Sequence, residues 1–207
     1  MRRRVLLCLP LLLCVASATA ARNRPPVWLV DPVHTRVAIA VDHAGFSRSL
    51  AAMSVTSGRL WWDADAPSTS RVDIQLTPAR LDFGDSRWNQ AVHGPQVLDV
   101  ARHPDARFVS REVSQREDGS LVIDGVLTLR GMDVPVQLNA RLNGQRRHPM
   151  PPFRQTVGFS ATGELSRAAF GITAWPTMVG DRIQLQIELE ATLDRNAGPE
   201  TPSAATP

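Results

Sequence analysis

Along most of the chain, apolar and polar residues alternate with a period of two, which predicts strands with one dry and one wet face. The clearest run is near the end: Ile183, Leu185, Ile187 and Leu189 point one way, while Arg182, Gln184, Gln186 and Glu188 point the other. Val72, Ile74 and Leu76 alternate with Asp73, Gln75 and Thr77, and Val134, Val136, Leu138 and Ala140 with Pro135, Gln137 and Asn139. Val37, Ile39 and Val41 share a face, as do Val157, Phe159 and Ala161. So do Leu121, Ile123, Leu127 and Leu129, with Gly125 in the middle.

Turn residues punctuate these runs. Glu117-Asp118-Gly119 and Arg130-Gly131 read as hairpin turns, and Asn143-Gly144 as a further turn. Ser57-Gly58 reads as a bend inside a long strand, and Arg146 to Phe153 as a longer Pro-rich loop. One segment departs from period two: Ser86 to Val100 has helical spacing and is divided by Gly94-Pro95. A second short turn is expected from Ser166 to Phe170. The pattern predicts an all-β fold of eight antiparallel strands, a sandwich or closed barrel, with a short helical insertion between strands 3 and 4. Closure removes sticky edges, and eight strands enclose either packed side chains or one ligand. Periodicity does not choose between those two interiors.

The ends read differently. Residues 1–20 have the form of a secretory signal: Arg2, Arg3 and Arg4, an apolar run broken by Pro10, then Ala18-Thr19-Ala20. The apolar run is shorter than the roughly 20 residues of a membrane span, so a cleaved leader, a periplasmic location and no stable membrane span are expected. Residues 27–195 form the expected barrel domain, and residues 196–207 a disordered tail rich in Pro, Ala and Thr.

Charge and cysteine then narrow the chemistry. The 23 basic residues are all Arg; removing the three in the leader leaves 20 against 20 Asp+Glu. A near-neutral mature chain has no basic field for nucleic acid, and no nucleic-acid partner is expected. Cys8 and Cys14 both lie in the leader, so the mature chain has no disulfide and no thiolate site. His34, His43, His93, His103 and His148 show no ligand spacing, so no metal is expected. There is no nucleophile elbow, phosphate loop or dinucleotide fingerprint. Asp82 and Asp85 are close enough for a carboxylate pair, but Asp85 also suits a helix N-cap. The protein is not expected to be an enzyme and needs no cofactor.

Four blocks, in order, resemble the YceI-like family of bacterial polyisoprenoid-binding proteins. They are Trp28-Leu29-Val30-Asp31-Pro32-Val33-His34-Thr35; Leu98 to Pro104 with Ala106 to Ser110; Gly125 to Gly131 with Pro135-Val136; and Ser166 to Ile172 with Val179-Gly180-Asp181. Two stretches depart from the family's pattern. Ser86-Arg87-Trp88-Asn89 stands where an Arg-Asp pair is usual, and Val97 and Leu98 are aliphatic where aromatics are common.

The resemblance implies a lipocalin-like barrel whose interior takes an amphiphilic lipid such as an isoprenoid, quinone or polyprenyl phosphate. It also suggests self-association as a homodimer. The expected lining is Val37, Ile39, Val41, Trp61, Val72, Ile74, Leu76, Trp88, Leu98, Phe108, Leu127, Leu129, Phe159, Phe170, Trp175, Ile183, Leu185 and Ile187. Adjacent Trp61 and Trp62 should face opposite sides of a strand, so one at most is expected inside. Arg167 is read either as a partner for a ligand's anionic head or as a brace paired with Asp181. Burying a prenyl tail contributes about 0.8 kcal/mol per methylene, or about 4 kcal/mol gross for each five-carbon unit. Two other readings stay open: an enzyme acting on a lipid inside the barrel, and a filled barrel that binds a partner.

Overall fold

The computed structural model describes residues 25–197. The expected leader at 1–20 lies outside the described residues, as does most of the expected tail at 196–207.

The strands are β1 (Val27–Val30), β2 (Arg36–His43), β3 (Ser47–Ser54), β4 (Ser57–Trp61), β5 (Arg71–Leu76), β6 (Ala106–Gln115), β7 (Leu121–Leu129), β8 (Met132–Arg147), β9 (Gln155–Ser166) and β10 (Val179–Leu193). All pairings are antiparallel. The ring runs β1-β4-β5-β6-β7-β8-β9-β10 and closes where β10 meets β1. Of the sandwich and the closed barrel that the alternation allows, this is the barrel, as the family resemblance implies. Two strands are counted twice because they are bent. β10 pairs β1 through Ala191–Leu193 and β2 through Val179–Glu188, so β1 and β2 are halves of one strand broken at residues 31–35. β3 and β4 are halves of another, broken just before Ser57-Gly58.

The β2–β3 hairpin rises past the closed ring at one end. There, among the described residues, β3 has no strand on its outer side; it meets the connecting segment by a bridge between Ala52 and Asp82. Helix α1 (Ser86–His93) follows in that segment, between the third and fourth ring strands in chain order. Asp85 caps it, accepting from the backbone N–H groups of Arg87 and Trp88. Gly94 ends it. The predicted second turn is a 3-10 turn at Ala168–Phe170.

Tight geometry explains two glycine choices. In the β7–β8 turn, Arg130 and Gly131 have φ of 53° and 71°, the left-handed pair that a two-residue hairpin needs. In mid-strand, a Cβ on Gly125 would come within 2.4 Å of the Phe108 ring, so the ring occupies the space a side chain would take.

One predicted turn is absent. Asn143-Gly144 lies inside β8, where a bulge between Leu142 and Gly144 shifts the register against β9. The extra residue of a bulge mimics a turn signal while the ladder continues to Arg147. The reversal comes in the Pro-rich loop that follows.

Buried residues form two clusters. One gathers Trp28, Val30, Val55, Leu60, Trp62, Leu121, Val113, Val157 and Ala191 at the end where β1 closes the ring. The other gathers Ala51, Leu81, Leu98, Phe170 and Ile172 beneath the helical segment.

Candidate ligand cavity

Between the clusters the barrel is hollow. A cavity of about 320 Å³ runs along the axis, within the range of small-molecule sites. Its wall is almost wholly apolar. The burial pattern gives the same result strand by strand. On β10, Ile183, Leu185, Ile187 and Leu189 face inward yet stay half-buried, while Gln184, Gln186 and Glu188 outside are exposed. In a filled barrel the inward set would be fully covered. On β7, Leu121 and Ile123 are buried, because they sit at the packed end.

One end is shut. Thr35, Trp61, Trp62, Ser70, Val113, Leu121 and Ala140 line it and all are buried. Trp28 Nε1 donates to the Trp62 carbonyl at 3.1 Å, and Trp62 Nε1 to Gln145 Oε1 at 2.9 Å. The Trp62 ring stands edge-on to Phe159, 5.0 Å between centroids. Two buried polar atoms in this floor, Trp61 Nε1 and Ser70 Oγ, have no partner. The other end is the mouth: Trp175 lines the cavity and is exposed, with half-buried Phe83 and Ala174 near it.

Every residue predicted to line the interior does so except Trp88. Trp88 projects from the exposed side of α1, its ring 5.8 Å from that of His43 and 6.1 Å from that of Phe83. An eight-residue helix leaves one face to solvent, and helical spacing alone does not say which. The expectation that one of Trp61 and Trp62 would lie outside is also corrected: both are buried and both line the cavity. β4 ends at Trp61, so strand alternation no longer applies to Trp62. Trp62, Met53 and Phe83 were missed as wall residues. Leu189 stood in the period-two run read from the sequence but not among the expected lining residues, and it lines the cavity too, whereas Phe83 had no local signal.

Arg167 is a brace, but not through Asp181. Its guanidinium donates to four backbone carbonyls: Gly180 at 2.9 Å, Ile172 at 2.9 Å, Ala174 at 2.8 Å and Val179 at 2.7 Å. These bonds use four of its five N–H donors and tie down the loop that carries Trp175. Trp175 itself has φ of 51°, a left-handed conformation uncommon for a bulky residue. The Asp181 carboxylate instead accepts from the Ala168 backbone N–H at 2.9 Å. Ser166 and that N–H hold it below the usual carboxylate range.

The remaining titratable candidates are used locally. Asp82 accepts from Gly84 N–H and Asn89 Nδ2, which hold it below the usual range; Asp85 caps α1. They form two turns rather than a catalytic pair. His34 Nδ1 lies 2.8 Å from Asp31 Oδ2, and this hydrogen bond raises the His34 pKa. His93 Nε2 bonds the Leu81 carbonyl at 2.9 Å. Among the described residues, no three metal-binding side chains come together. No helix among them is long and apolar enough to cross a membrane.

Comparison with known proteins gives the same frame. A Pseudomonas putida protein described as a UPF0312 protein is 30% identical over 157 residues, covering 76% of this chain and 80% of that one. A UPF0312 protein of Pectobacterium carotovorum is 28% identical over 191 residues, covering 92% and 97%. Among solved structures, Burkholderia cenocepacia BcnA superposes with a TM-score of 0.70 at 20% identity, over 79% of this chain and 99% of that one. A polyisoprenoid binding domain from Saccharophagus degradans superposes with a TM-score of 0.59 at 9% identity, over 81% and 98%. The YceI-like domain model matches residues 28–191, and the chain belongs to that family.

Proposed function

We propose that this protein binds and carries a long isoprenoid or similar amphiphilic lipid, with its tail inside the barrel and its head at the mouth. The observation that carries the reading is an open interior with an apolar wall. Among the described residues, the only ionisable ones along that wall are Arg71 and Arg167, and both donate to backbone carbonyls. A charged head drawn inside would lose its hydration without a partner, at a cost of several kcal/mol. A branched hydrocarbon tail has no such cost and gains from every methylene buried. The site therefore selects length and bulk in the tail. Quinones and polyprenyl phosphates both fit this description, since each has a polar head that can stay outside.

The same wall argues against an enzyme, because acid–base or nucleophilic chemistry needs convergent polar groups. The polyisoprenoid-binding neighbour and the family membership support the carrier reading. A periplasmic setting rests on the signal-like residues 1–20.

The test is to extract the native protein with organic solvent and identify co-purifying lipid by mass spectrometry. Thermal melting is then followed with added ubiquinone and farnesyl compounds. A prenyl lipid in the extract and a higher Tm are expected. Replacing Leu185 with Trp, which fills the hollow from β10, should abolish both while the fold persists. An empty extract with no Tm shift would overturn the reading.

A further inference from the structure

Four large apolar side chains stand exposed around the cavity mouth, and they come from three separate segments. Phe46 is 91% exposed at the tip of the β2–β3 hairpin. Trp175 and Met178, 43% and 51% exposed, lie on the loop before β10. Trp88, 45% exposed, lies in the first turn of α1.

The three segments are stitched together. Ala44 N–H in the hairpin turn donates to the Met178 carbonyl at 2.7 Å. The N–H groups of Met178 and Val179 donate to the Trp175 carbonyl at 3.0 Å and 2.9 Å. His43, which pairs with Val179, places its ring against Trp88. Arg167 clamps the same loop from inside. Exposed side chains on a braced rim keep their place, and a rim of this composition is unusual for a surface that meets only water.

We propose that this rim is a docking surface for a lipid bilayer, seated so that the cavity opens directly onto the membrane interface. The inference rests on the carrier reading and adds where cargo is exchanged. Three observations favour a bilayer over another occupant. First, the rim is continuous with the cavity: Trp175 belongs to both. A tail leaving the mouth into water would lose its whole burial energy, whereas a tail passing from mouth to bilayer stays in hydrocarbon throughout. Second, Trp88 and Trp175 are the side-chain type that settles at a bilayer interface, with an apolar ring and one polar N–H. Third, exposed Arg87 stands beside Trp88 in the first turn of α1, where its guanidinium can meet lipid phosphates. The nearby acids Asp42, Asp82 and Asp85 are exposed but already accept from backbone N–H groups of their own turns: Asp42 from Gly45, Asp82 from Gly84 and Asp85 from the start of α1.

Phe46 and Met178 lie outside the cavity wall, so they separate docking from cargo binding. Met150 and Phe153, also exposed, sit on the β8–β9 loop away from the mouth and serve as a control. The experiment floats the full mature chain with vesicles of phosphatidylcholine, with and without phosphatidylglycerol. Quenching of tryptophan fluorescence by brominated acyl chains reads the depth of insertion. Cargo binding is measured separately, with a short prenyl alcohol delivered from cyclodextrin.

The wild type should float with vesicles and be quenched. The double variant Phe46→Asp/Met178→Asp should bind vesicles at least about tenfold more weakly, from the burial of one aromatic side chain alone, with prenyl-alcohol binding unchanged. The double variant Met150→Asp/Phe153→Asp should match the wild type. No flotation of the wild type, unchanged flotation of the rim variant, or loss only in the control variant would each overturn the proposal. Flotation without prenyl-alcohol binding would leave the rim standing and sink the carrier reading instead.

Discussion

The two ends of this barrel are built from the same kind of strand and behave oppositely. At the β1 end, inward side chains from facing strands meet: Leu121, Val113, Trp62 and Val157 are buried against one another. Along β2 and β10, Val37, Ile39, Ile183, Leu185 and Ile187 also face inward but stay only half-buried, and they line the void. The difference is not one of hydrophobicity, since Leu121 and Leu185 are the same residue. It lies in what stands opposite. At the shut end three tryptophans, Trp28, Trp61 and Trp62, fill the cross-section. In the middle the inward side chains leave a cavity between them. One end holds the fold, and the other half makes room.

Mutations can break this contrast. Leu121→Ala should show the largest effect, about 2–5 kcal/mol lost in denaturant unfolding, because the floor cannot collapse around the gap. A loss below about 1 kcal/mol would mean the floor is not tightly packed. Arg167→Met should follow, at about 3 kcal/mol, because four carbonyls, one buried and three part-buried, lose their donor. Limited proteolysis should then cut between residues 172 and 179; resistance there would show that the loop is braced by something else. Leu185→Ala should cost only about 1 kcal/mol, since it enlarges a void already present and forfeits fewer contacts. Equal costs for Leu121→Ala and Leu185→Ala would mean that the middle is as filled as the floor.

The smallest effect is a pH dependence at the outer surface of the shut end. His34, raised by its bond to Asp31, adds stability below its ordinary pKa of about 6.5 that is lost as pH rises through the raised value. For Asp31, burial pushes the pKa up, but the hydrogen bonds from His34 and from the Val33 and His34 N–H groups outweigh it and bring the net value down. Its contribution is therefore present above about 3.9 and is lost as pH falls through the lowered value. The pair is worth most between these limits. His34→Ala should flatten stability between pH 6 and 8, and an unchanged profile would remove the pair from the account.

Much of the wall was legible because alternation reports which residues face inward, and on β10 and β5 every inward residue named from the sequence lines the cavity. Trp88 failed because a short helix has several faces that could be apolar, and only its seat beside His43 decides among them. Asn143-Gly144 failed because a bulge and a turn draw on the same residues. Arg167 and Asp181 lie near each other as the motif suggests, but their acceptor and donor are backbone groups, which side-chain chemistry does not advertise.

The sequence by itself determined the strand faces, the number of ring strands and the place of the helix. Each is a local property, carried by residues two to four positions apart. Only the tertiary structure decided that the interior is hollow, that the tryptophans gather at one end, and that Phe46, Trp88, Trp175 and Met178 share a rim. An empty volume depends on how far side chains from opposite strands extend towards each other. Those strands are more than fifty residues apart in the chain, and no period along it records that distance.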